Sequence, residues 1–191
     1  MIPFEKFNQW YEKEKHLSKV SIPSACCFST IGLDGYPNSR FVSLKEVKNK
    51  SFVVTGPLNS RKGREVASIS KVSLTFWWTN TERQVRIQGD AFQISEEEAK
   101  VYFAARNQAA QIVSTTFEQG KEIENFDRLK DLFDTKKESL KTVAIEKPKS
   151  WSGFYIRPIR IEFMDFQASR LHRRELFEKS SDEWNRKIIQ P

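Results

Sequence analysis

The segment from Arg170 to Arg174 combines side chains that could bind an anion. Its sequence is Arg-Leu-His-Arg-Arg, and it contains one of the two histidines of the chain. In an extended strand alternate side chains share a face, which predicts that Arg170, His172 and Arg174 point the same way. Three such groups repel one another unless an anion lies among them. The segment therefore predicts an anion site, and the alternative is a solvated basic edge strand that blocks aggregation.

Two polar clusters nearer the amino terminus could also hold phosphate. Arg40 and Lys45 bracket an apolar run, and their odd separation places them on opposite faces of a regular strand. They can serve one ligand group only if a bulge intervenes, and otherwise they serve different groups. Asn59 to Gly63 form a basic, hydroxyl-rich turn that leads into a helix amino terminus, where anions bind readily. A solvated basic turn is the alternative explanation of that segment.

Two further pairs lie on predicted regular elements. Gln84 and Arg86 share one face of a strand, from which the Gln84 amide could hydrogen-bond the edge of a heterocycle. Tyr102 and Arg106 are four residues apart on a predicted helix, so they are expected to be neighbours on one face. A phenol beside a guanidinium could clamp a phosphate, although such pairs are also common on protein surfaces.

Length and composition indicate a soluble globular protein. The chain has 191 residues, of which 38% are hydrophobic and 30% charged, which is enough for one domain (1–191) with a sizeable core. The apolar runs are too short to span a bilayer and no secretory signal follows Met1, which predicts a cytoplasmic protein. The net charge of +7 favours an anionic partner: nucleic acid, a membrane surface or a phosphorylated small molecule.

The sequence argues against several classes of site. Cys26 and Cys27 are the only cysteines and are adjacent, so neither a disulfide framework nor a zinc site is expected. The expected arrangement is two reduced thiols on one strand, facing opposite ways. The sequence has no phosphate-loop lysine motif, no GxGxxG, no Gly-x-Ser-x-Gly elbow and no histidines at metal-binding spacing.

Alternation and turn residues predict many antiparallel strands with helices between them. Helices are predicted over Pro3 to Leu17 (in an amino-terminal segment, 1–20), from Arg61 after the cap Ser60, and in a helical insertion, 95–142. Strands are predicted over 24–31, 37–47, 51–55, 72–78, 85–94, 153–164, 170–177 and 184–189, with an edge or bulge at Pro158. This order favours an α+β domain, a mainly antiparallel β-barrel with peripheral helices.

Taken in order, these clusters resemble the pyridoxamine 5′-phosphate oxidase family from about residue 24 to the carboxyl terminus. Each matching segment is weak alone, whereas the ordered set is specific. The segments are Arg40-x-x-x-Leu44-Lys45, Ser60-Arg61-Lys62, Glu82-Arg83-Gln84-Val85-Arg86, Tyr102-Phe103-x-x-Arg106, Trp151-x-Gly153-Phe154, Ile161-Glu162-Phe163 and Arg170-Leu171-His172-x-Arg174.

The resemblance implies an FMN-binding split β-barrel that forms a homodimer with FMN at the subunit interface. It implies an oxidase of vitamin B6 metabolism that converts pyridoxamine or pyridoxine 5′-phosphate to pyridoxal 5′-phosphate. Oxygen is the acceptor, and the other products are hydrogen peroxide and, from the amine, ammonia. The expected partners are a phosphorylated pyridine and a second copy of the chain, with no nucleic acid, membrane or metal.

The resemblance also implies roles for individual residues. Those that would hold the FMN phosphate are Arg40, Arg61 and Lys62. Those that would line the flavin are Phe41, Val42, Ser43 and Leu44 through their backbone, together with Thr55, Gln84, Gln119, Met164 and Arg174. Those that would grip the substrate phosphate are Lys45, Tyr102 and Arg106. Arg170 and His172 would flank the pyridine ring as the catalytic pair, and Arg40 and Lys45 would serve two different phosphates.

The chain departs from the family pattern at several positions and has a short amino-terminal segment. Met164 replaces a usual Trp, Ala110 and Gly120 each replace a usual Ser, Thr55-Gly56 replaces an aromatic-Thr pair, and Arg173 replaces an Asp. These changes leave two alternatives open: an oxidase of the same family with another substrate, such as a phenazine precursor, or a non-catalytic flavin- or pyridoxal-phosphate-binding protein. A nucleic-acid-binding role, based on charge alone, is a more distant alternative.

Overall fold

The computed structural model describes residues 2–19, 22–140 and 143–191. Among these residues the helices are α1 (Pro3–Leu17), α2 (Arg61–Ser68), α3 (Glu96–Ala104), α4 (Gln108–Thr116) and α5 (Phe126–Ser139). The strands are β1 (Ala25–Ile31), β2 (Pro37–Lys48), β3 (Ser51–Pro57), β4 (Lys71–Trp78), β5 (Arg83–Gln93), β6 (Trp151–Asp165), β7 (Arg173–Ser180) and β8 (Glu183–Ile189). No described helix is long and apolar enough to cross a membrane.

Six of the strands close into an antiparallel barrel. The sheet order is β3-β2-β1-β4-β5-β6-β7-β8, and β3 also pairs with β6, which closes the ring from β3 to β6. Strands β7 and β8 continue the sheet from the outer edge of β6. The predicted α+β split barrel with peripheral helices is therefore confirmed.

The barrel interior is filled by aromatic and aliphatic side chains that alternate with outward-facing residues. On β4 the buried positions are every second residue, as expected for a strand with one face on the core. Helix α1 closes one end of the barrel, where the Phe7 ring lies 4.9 Å from Phe52 and 5.1 Å from Phe76. The buried Glu14 carboxylate accepts hydrogen bonds from Asn80 and fixes this helix to the β4–β5 turn.

Two irregularities bend the strands near the candidate site. In β2 the register shifts between Leu44 and Val47, so that Lys45 and Glu46 together face the single residue Val53 of β3. This is a β-bulge, which re-aims the side chains at that point. The predicted irregularity at Pro158 is confirmed, because the β5–β6 register shifts beside it.

The prediction of an extended strand through Arg170 is wrong. Strand β7 begins at Arg173, and the preceding residues form a turn in which Arg170 has a φ of 68°. The backbone N–H of Arg170 donates to the Gln167 carbonyl (2.9 Å), and the Gln167 N–H donates to His172 Nδ1 (3.1 Å). Strand alternation therefore does not place Arg170, His172 and Arg174 on one face.

The predicted helical insertion consists of three separate helices in the described residues. Side chains of Ser95, Asn107 and Asn125 accept the capping hydrogen bonds at the starts of α3, α4 and α5. Helix α3 ends at Ala104, so Arg106 lies beyond it rather than one turn along it. The final residues of the prediction, 141 and 142, lie outside the described residues.

Candidate functional site

A cleft of about 360 Å³ lies between β2, β3 and the α4 region. It gathers predicted residues that are far apart in sequence, together with others that sequence reasoning did not select. The lining residues are Arg40, Phe41, Val42, Ser43, Lys45, Thr55, Gly56, Pro57, Lys62, Arg106, Val113, Ser114, Phe117, Gln119 and Trp151. The cleft thus combines backbone from β2, four cationic side chains and apolar walls.

Lys62 and Arg40 form the first cationic end of the cleft. The Lys62 side chain is buried, and its Nζ donates to Gln119 Oε1 (2.6 Å) and Ser60 Oγ (3.1 Å). Burial, followed by repulsion from Arg40, lowers the pKa of Lys62 to about 8. Within the described residues Lys62 has no ion pair with a carboxylate, so a bound anion would relieve both effects.

Glu65 holds the two arginines beside this lysine. Its carboxylate is buried and lies 3.0 Å from Arg40 Nη2 and 2.9 Å from Arg61 Nε. Burial acts to raise the pKa of Glu65, but hydrogen bonds from Thr30, Arg61 and Arg40 outweigh it and lower the pKa. Arg61 itself does not line the cleft, and it also pairs with Asp34 at 3.0 Å. Sequence reasoning missed Glu65, although the Arg61–Glu65 spacing is that of a helical ion pair.

Lys45 and Arg106 form the second cationic end. Desolvation, followed by repulsion from Arg106, lowers the pKa of Lys45. Arg106 donates to Ser114 Oγ (2.7 Å), and its guanidinium carbon lies 5.0 Å from the centroid of the Trp151 ring. Neither cation has an ion pair among the described residues. The bulge at Lys45 explains how it lines the same cleft as Arg40 despite their odd separation.

Tyr102 is not among the residues that line the cleft. Its hydroxyl donates a hydrogen bond to a carboxylate oxygen of Glu46, the second residue of the β2 bulge. The predicted clamp of Tyr102 and Arg106 on one helical face is therefore not observed, because α3 ends between them. Leu44 is not among the cleft-lining residues and its side chain is buried in the core, which leaves the contact implied by the resemblance to its backbone.

Gly56 makes room for the buried lysine. A Cβ atom at this position would lie 2.9 Å from Lys62 Cε and 3.1 Å from its Nζ. Glycine at this position therefore lets the Lys62 ammonium reach the cleft. This explains Gly56, which the sequence showed only as a departure from the family pattern. Gly120, which follows Gln119, has a φ of +88°, a conformation that favours glycine over the serine usual in the family.

The remaining predicted residues form a second group away from the cleft. Gln84, Met164 and Arg174 are register partners across β5, β6 and β7, and Gln84 Nε2 lies 3.9 Å from Met164 Sδ. Arg174 is fixed by the buried Glu162 through contacts of 2.9 Å and 2.7 Å to Oε1. Glu162 is thus a positioning residue that sequence reasoning noted only as part of a motif.

The catalytic candidates lie beside this second group. The His172 ring centroid lies 4.7 Å from that of Phe166 with the two planes tilted by 51°, and the Phe166 ring meets Trp77 edge to face at 4.8 Å. Trp77 is the register partner of Gln84, so the turn that carries Arg170 and His172 continues the same surface. None of Gln84, Met164, Arg170, His172 or Arg174 lines the cleft of the same chain.

An apolar groove adjoins the cleft on the outside of the barrel. Phe41 lines both the cleft and this groove, which has a volume of about 420 Å³ and also contains Cys27 and Trp77. Phe41 is 80% exposed and Trp77 51% exposed, which is unusual for rings of this size on a strand.

The predicted thiols are confirmed as free, with Cys26 buried and Cys27 half-buried. Within the described ranges no cluster of His, Cys, Asp and Glu is arranged to hold a metal.

Comparison with known proteins identifies relatives along almost the whole chain. A family model described as pyridoxamine 5′-phosphate oxidase matches residues 13–135, and one described as the pyridoxine 5′-phosphate oxidase C-terminal dimerisation region matches residues 151–191. The pyridoxine/pyridoxamine 5′-phosphate oxidase of Haemophilus influenzae (strain ATCC 51907) is 37% identical over 191 residues, covering 99% of this chain and 89% of that protein. The protein of the same name from Leptospira biflexa is 32% identical over 189 residues, with the same coverage.

Solved structures share the fold. PhzG from Burkholderia lata 383, determined with tetrahydrophenazine-1-carboxylic acid, superposes with a TM-score of 0.91 at 24% identity, covering 99% of this chain and 92% of that one. A pyridoxamine 5′-phosphate oxidase-related, FMN-binding protein from Nostoc punctiforme superposes with a TM-score of 0.82 at 14% identity, covering 100% and 99%. From the family matches and the curated relatives, the chain belongs to the pyridoxamine 5′-phosphate oxidase family.

Proposed function

We propose that this protein is an FMN-dependent oxidase that converts pyridoxamine or pyridoxine 5′-phosphate to pyridoxal 5′-phosphate, with oxygen as the electron acceptor. Hydrogen peroxide is the second product, and ammonia is released from the amine. The substrate agrees with the names of the curated relatives. We further propose that residues 1–191 form one domain and that the protein acts in the cytoplasm.

The observation that carries the proposal is the pair of cationic ends in one cleft. Lys62 with Arg40, and Lys45 with Arg106, are close enough within each pair to lower a lysine pKa. Each pair suits one phosphate, because a dianion replaces like-charge repulsion with charge-assisted hydrogen bonds. One end would hold the phosphate of FMN and the other that of the substrate, which leaves the apolar walls for the two ring systems.

The chain's own residues fit FMN in this cleft. The buried lysine without a carboxylate, and the space that Gly56 leaves for it, form a cradle for a phosphate. When bound, the flavin would accept the hydride from the carbon being oxidised. Backbone of β2 from Phe41 to Ser43 would lie along its ring, and Gln119 would both orient Lys62 and contact the ring edge.

Completion of the site requires a second copy of the chain. The second group, with Gln84, Met164 and Arg174, lies outside the cleft of its own protomer, although the resemblance assigns these residues to the flavin. The exposed Phe41 and Trp77 connect the two regions through one apolar groove. We propose a homodimer in which this face is covered and each cleft receives the second group, with Arg170 and His172, from the partner subunit.

In this arrangement two groups of side chains have separate roles in the reaction. Lys45 and Arg106 would anchor the substrate phosphate and so restrict the orientation of the pyridine ring in the cleft. Arg170 and His172 would flank the ring and orient the carbon being oxidised. Burial of the two rings between protomers would exclude water from the reacting atoms.

Mixing of two inactive variants tests the whole arrangement. Lys62→Met damages the cleft, and His172→Ala damages the second group. If each site uses one group from each protomer, a mixed dimer has one doubly altered site and one intact site. Dissociation and reassociation of equal amounts should restore roughly a quarter of wild-type pyridoxal 5′-phosphate formation. No recovery in verified mixed dimers would refute the shared site, and an FMN-loaded wild-type protein without turnover would refute the oxidase.

An oxidase with another substrate is the second candidate. The hydrogen bond that engages Tyr102 with Glu46 favours it, since it withdraws one predicted phosphate ligand. Direct competition separates the two candidates: pyridoxal 5′-phosphate should inhibit a true pyridoxamine 5′-phosphate oxidase by occupying the substrate site. Flavin-dependent oxidation of another compound, unaffected by pyridoxal 5′-phosphate, would favour the second candidate.

A further inference from the structure

We infer that Glu46 sets the anion selectivity of the substrate site by withholding the Tyr102 hydroxyl from the substrate phosphate. The inference rests on the proposed function, because it concerns the Lys45–Arg106 end of the same cleft. Glu46 would be a specificity-determining residue that acts through Tyr102 rather than by contact with the reacting atoms.

The position of Glu46 follows from the β2 bulge. A regular strand would place neighbouring residues on opposite faces, but here Lys45 and Glu46 share a single partner residue on β3. Lys45 lines the cleft, and Glu46 reaches the hydroxyl of Tyr102 on α3. The bulge therefore carries, at consecutive positions, an ammonium that lines the candidate phosphate site and a carboxylate that holds the Tyr102 hydroxyl.

While the Tyr102 hydroxyl donates to Glu46, it cannot also donate to a bound phosphate. A phenol has one O–H to donate, and Glu46 accepts it. Desolvation, followed by the hydrogen bond and the charge of Glu46, raises the pKa of Tyr102, so the hydroxyl keeps its proton. A phosphate bound by Lys45 and Arg106 receives that proton only if Glu46 gives it up.

Glu46 also differs from the neighbouring carboxylate in its partners. Glu98 pairs with Lys48 at 3.0 Å and accepts from the Tyr155 hydroxyl, so its charge is compensated locally. Within the described residues Glu46 has no ion pair. Its charge is shared with Lys48, whose pKa it helps to raise, so its expected effect on the phosphate runs mainly through the Tyr102 hydroxyl that it holds. The site is expected to accept a phosphate less tightly than its two cations alone would allow.

A double-mutant cycle tests this inference with FMN-loaded protein and pyridoxal 5′-phosphate as the probe. Glu46→Ala should lower the dissociation constant of pyridoxal 5′-phosphate about tenfold, the scale of one charge-assisted hydrogen bond. Pyridoxal, which lacks the phosphate, should show no such gain. Tyr102→Phe should cost about tenfold more in the Glu46→Ala background than in the presence of Glu46.

Controls separate this outcome from general electrostatics and from failure of the proposed function. Glu97→Ala removes an exposed carboxylate from the first turn of α3, without contact to Tyr102, and should leave the affinity near that of the wild type. Equal effects of Tyr102→Phe in both backgrounds would overturn the inference. Absence of pyridoxal 5′-phosphate binding by every variant would overturn it together with the proposed substrate. A tenfold gain without turnover would support the inference and refute only the oxidase.

Discussion

The lowered pKa of Lys62 makes a quantitative prediction about the pH dependence of FMN binding. Its pKa of about 8 in the free protein means that the ammonium is lost within an accessible pH range. A bound phosphate dianion would favour the protonated form, so the pKa in the complex should lie well above that value. Binding above pH 8 must then take up a proton, and FMN affinity falls as the pH rises.

The expected size of the effect follows from this linkage. If only the protonated lysine binds phosphate, the apparent dissociation constant rises by a factor of roughly 2 at pH 8 and roughly 10 at pH 9, relative to pH 7. The FMN phosphate itself contributes nothing over this range, because its second pKa is about 6. Below pH 7 Lys62 is almost fully protonated, and little further gain from it is expected.

Fluorescence titration of the apoprotein with FMN between pH 7 and pH 9 measures this dependence. Riboflavin, which lacks the phosphate, should bind more weakly and show no such pH dependence. Lys62→Met should weaken FMN binding at pH 7 and remove the dependence. An equally steep loss of affinity in Lys62→Met, or a constant FMN affinity in the wild type, would refute the assignment of Lys62 to the FMN phosphate.

Three further predictions test other parts of the site. Glu65→Gln should lower the free energy of unfolding by about 3 kcal/mol in urea titrations, because it leaves Arg40 and Arg61 without their buried partner. Since folding lowers the pKa of Glu65, its contribution to stability should be lost as the pH falls through that pKa. A mutant as stable as the wild type at pH 7 would contradict this role. Gly56→Ala should weaken FMN binding several-fold in fluorescence titrations while riboflavin binding changes little, because the new Cβ displaces the Lys62 ammonium; equal losses for both ligands would argue against this. His172→Ala or Arg170→Ala should reduce turnover more than FMN retention, whereas Arg174→Ala should mainly weaken FMN retention. Paired kinetic and spectroscopic measurements test this, and the opposite order would contradict the assignment of Arg170 and His172 to the substrate and of Arg174 to the flavin.

Local sequence patterns were sufficient to predict most elements of the barrel. The α1 prediction coincides with Pro3–Leu17, and Ser60 caps α2 as expected. Alternation identified the strands because one face of each packs on the core, while Gly, Asn and Pro marked the turns. Closure of the ring by β3 and β6 joins residues about a hundred positions apart, and no local pattern contains that pairing.

The errors at the candidate site arise from irregular backbone. Alternation placed Arg170 and His172 in a strand, but Arg170 is itself left-handed and the His172 ring accepts a hydrogen bond from the Gln167 N–H, so both residues lie in a turn and β7 begins only at Arg173. The bulge at Lys45 and Glu46 depends on pairing with Val53, so the contact between Glu46 and Tyr102 was not predictable from spacing. Glu65 could have been found, because its helical spacing from Arg61 is visible in the sequence.

Anaerobic mixing of the FMN-loaded protein with pyridoxamine 5′-phosphate tests the central claim most directly. The proposal predicts that the yellow flavin absorbance is lost as pyridoxal 5′-phosphate forms in equal amount, and that admission of oxygen restores the colour with release of hydrogen peroxide. A flavin that stays oxidised with pyridoxamine and pyridoxine 5′-phosphates, in protein shown to bind FMN, would contradict the proposed reaction.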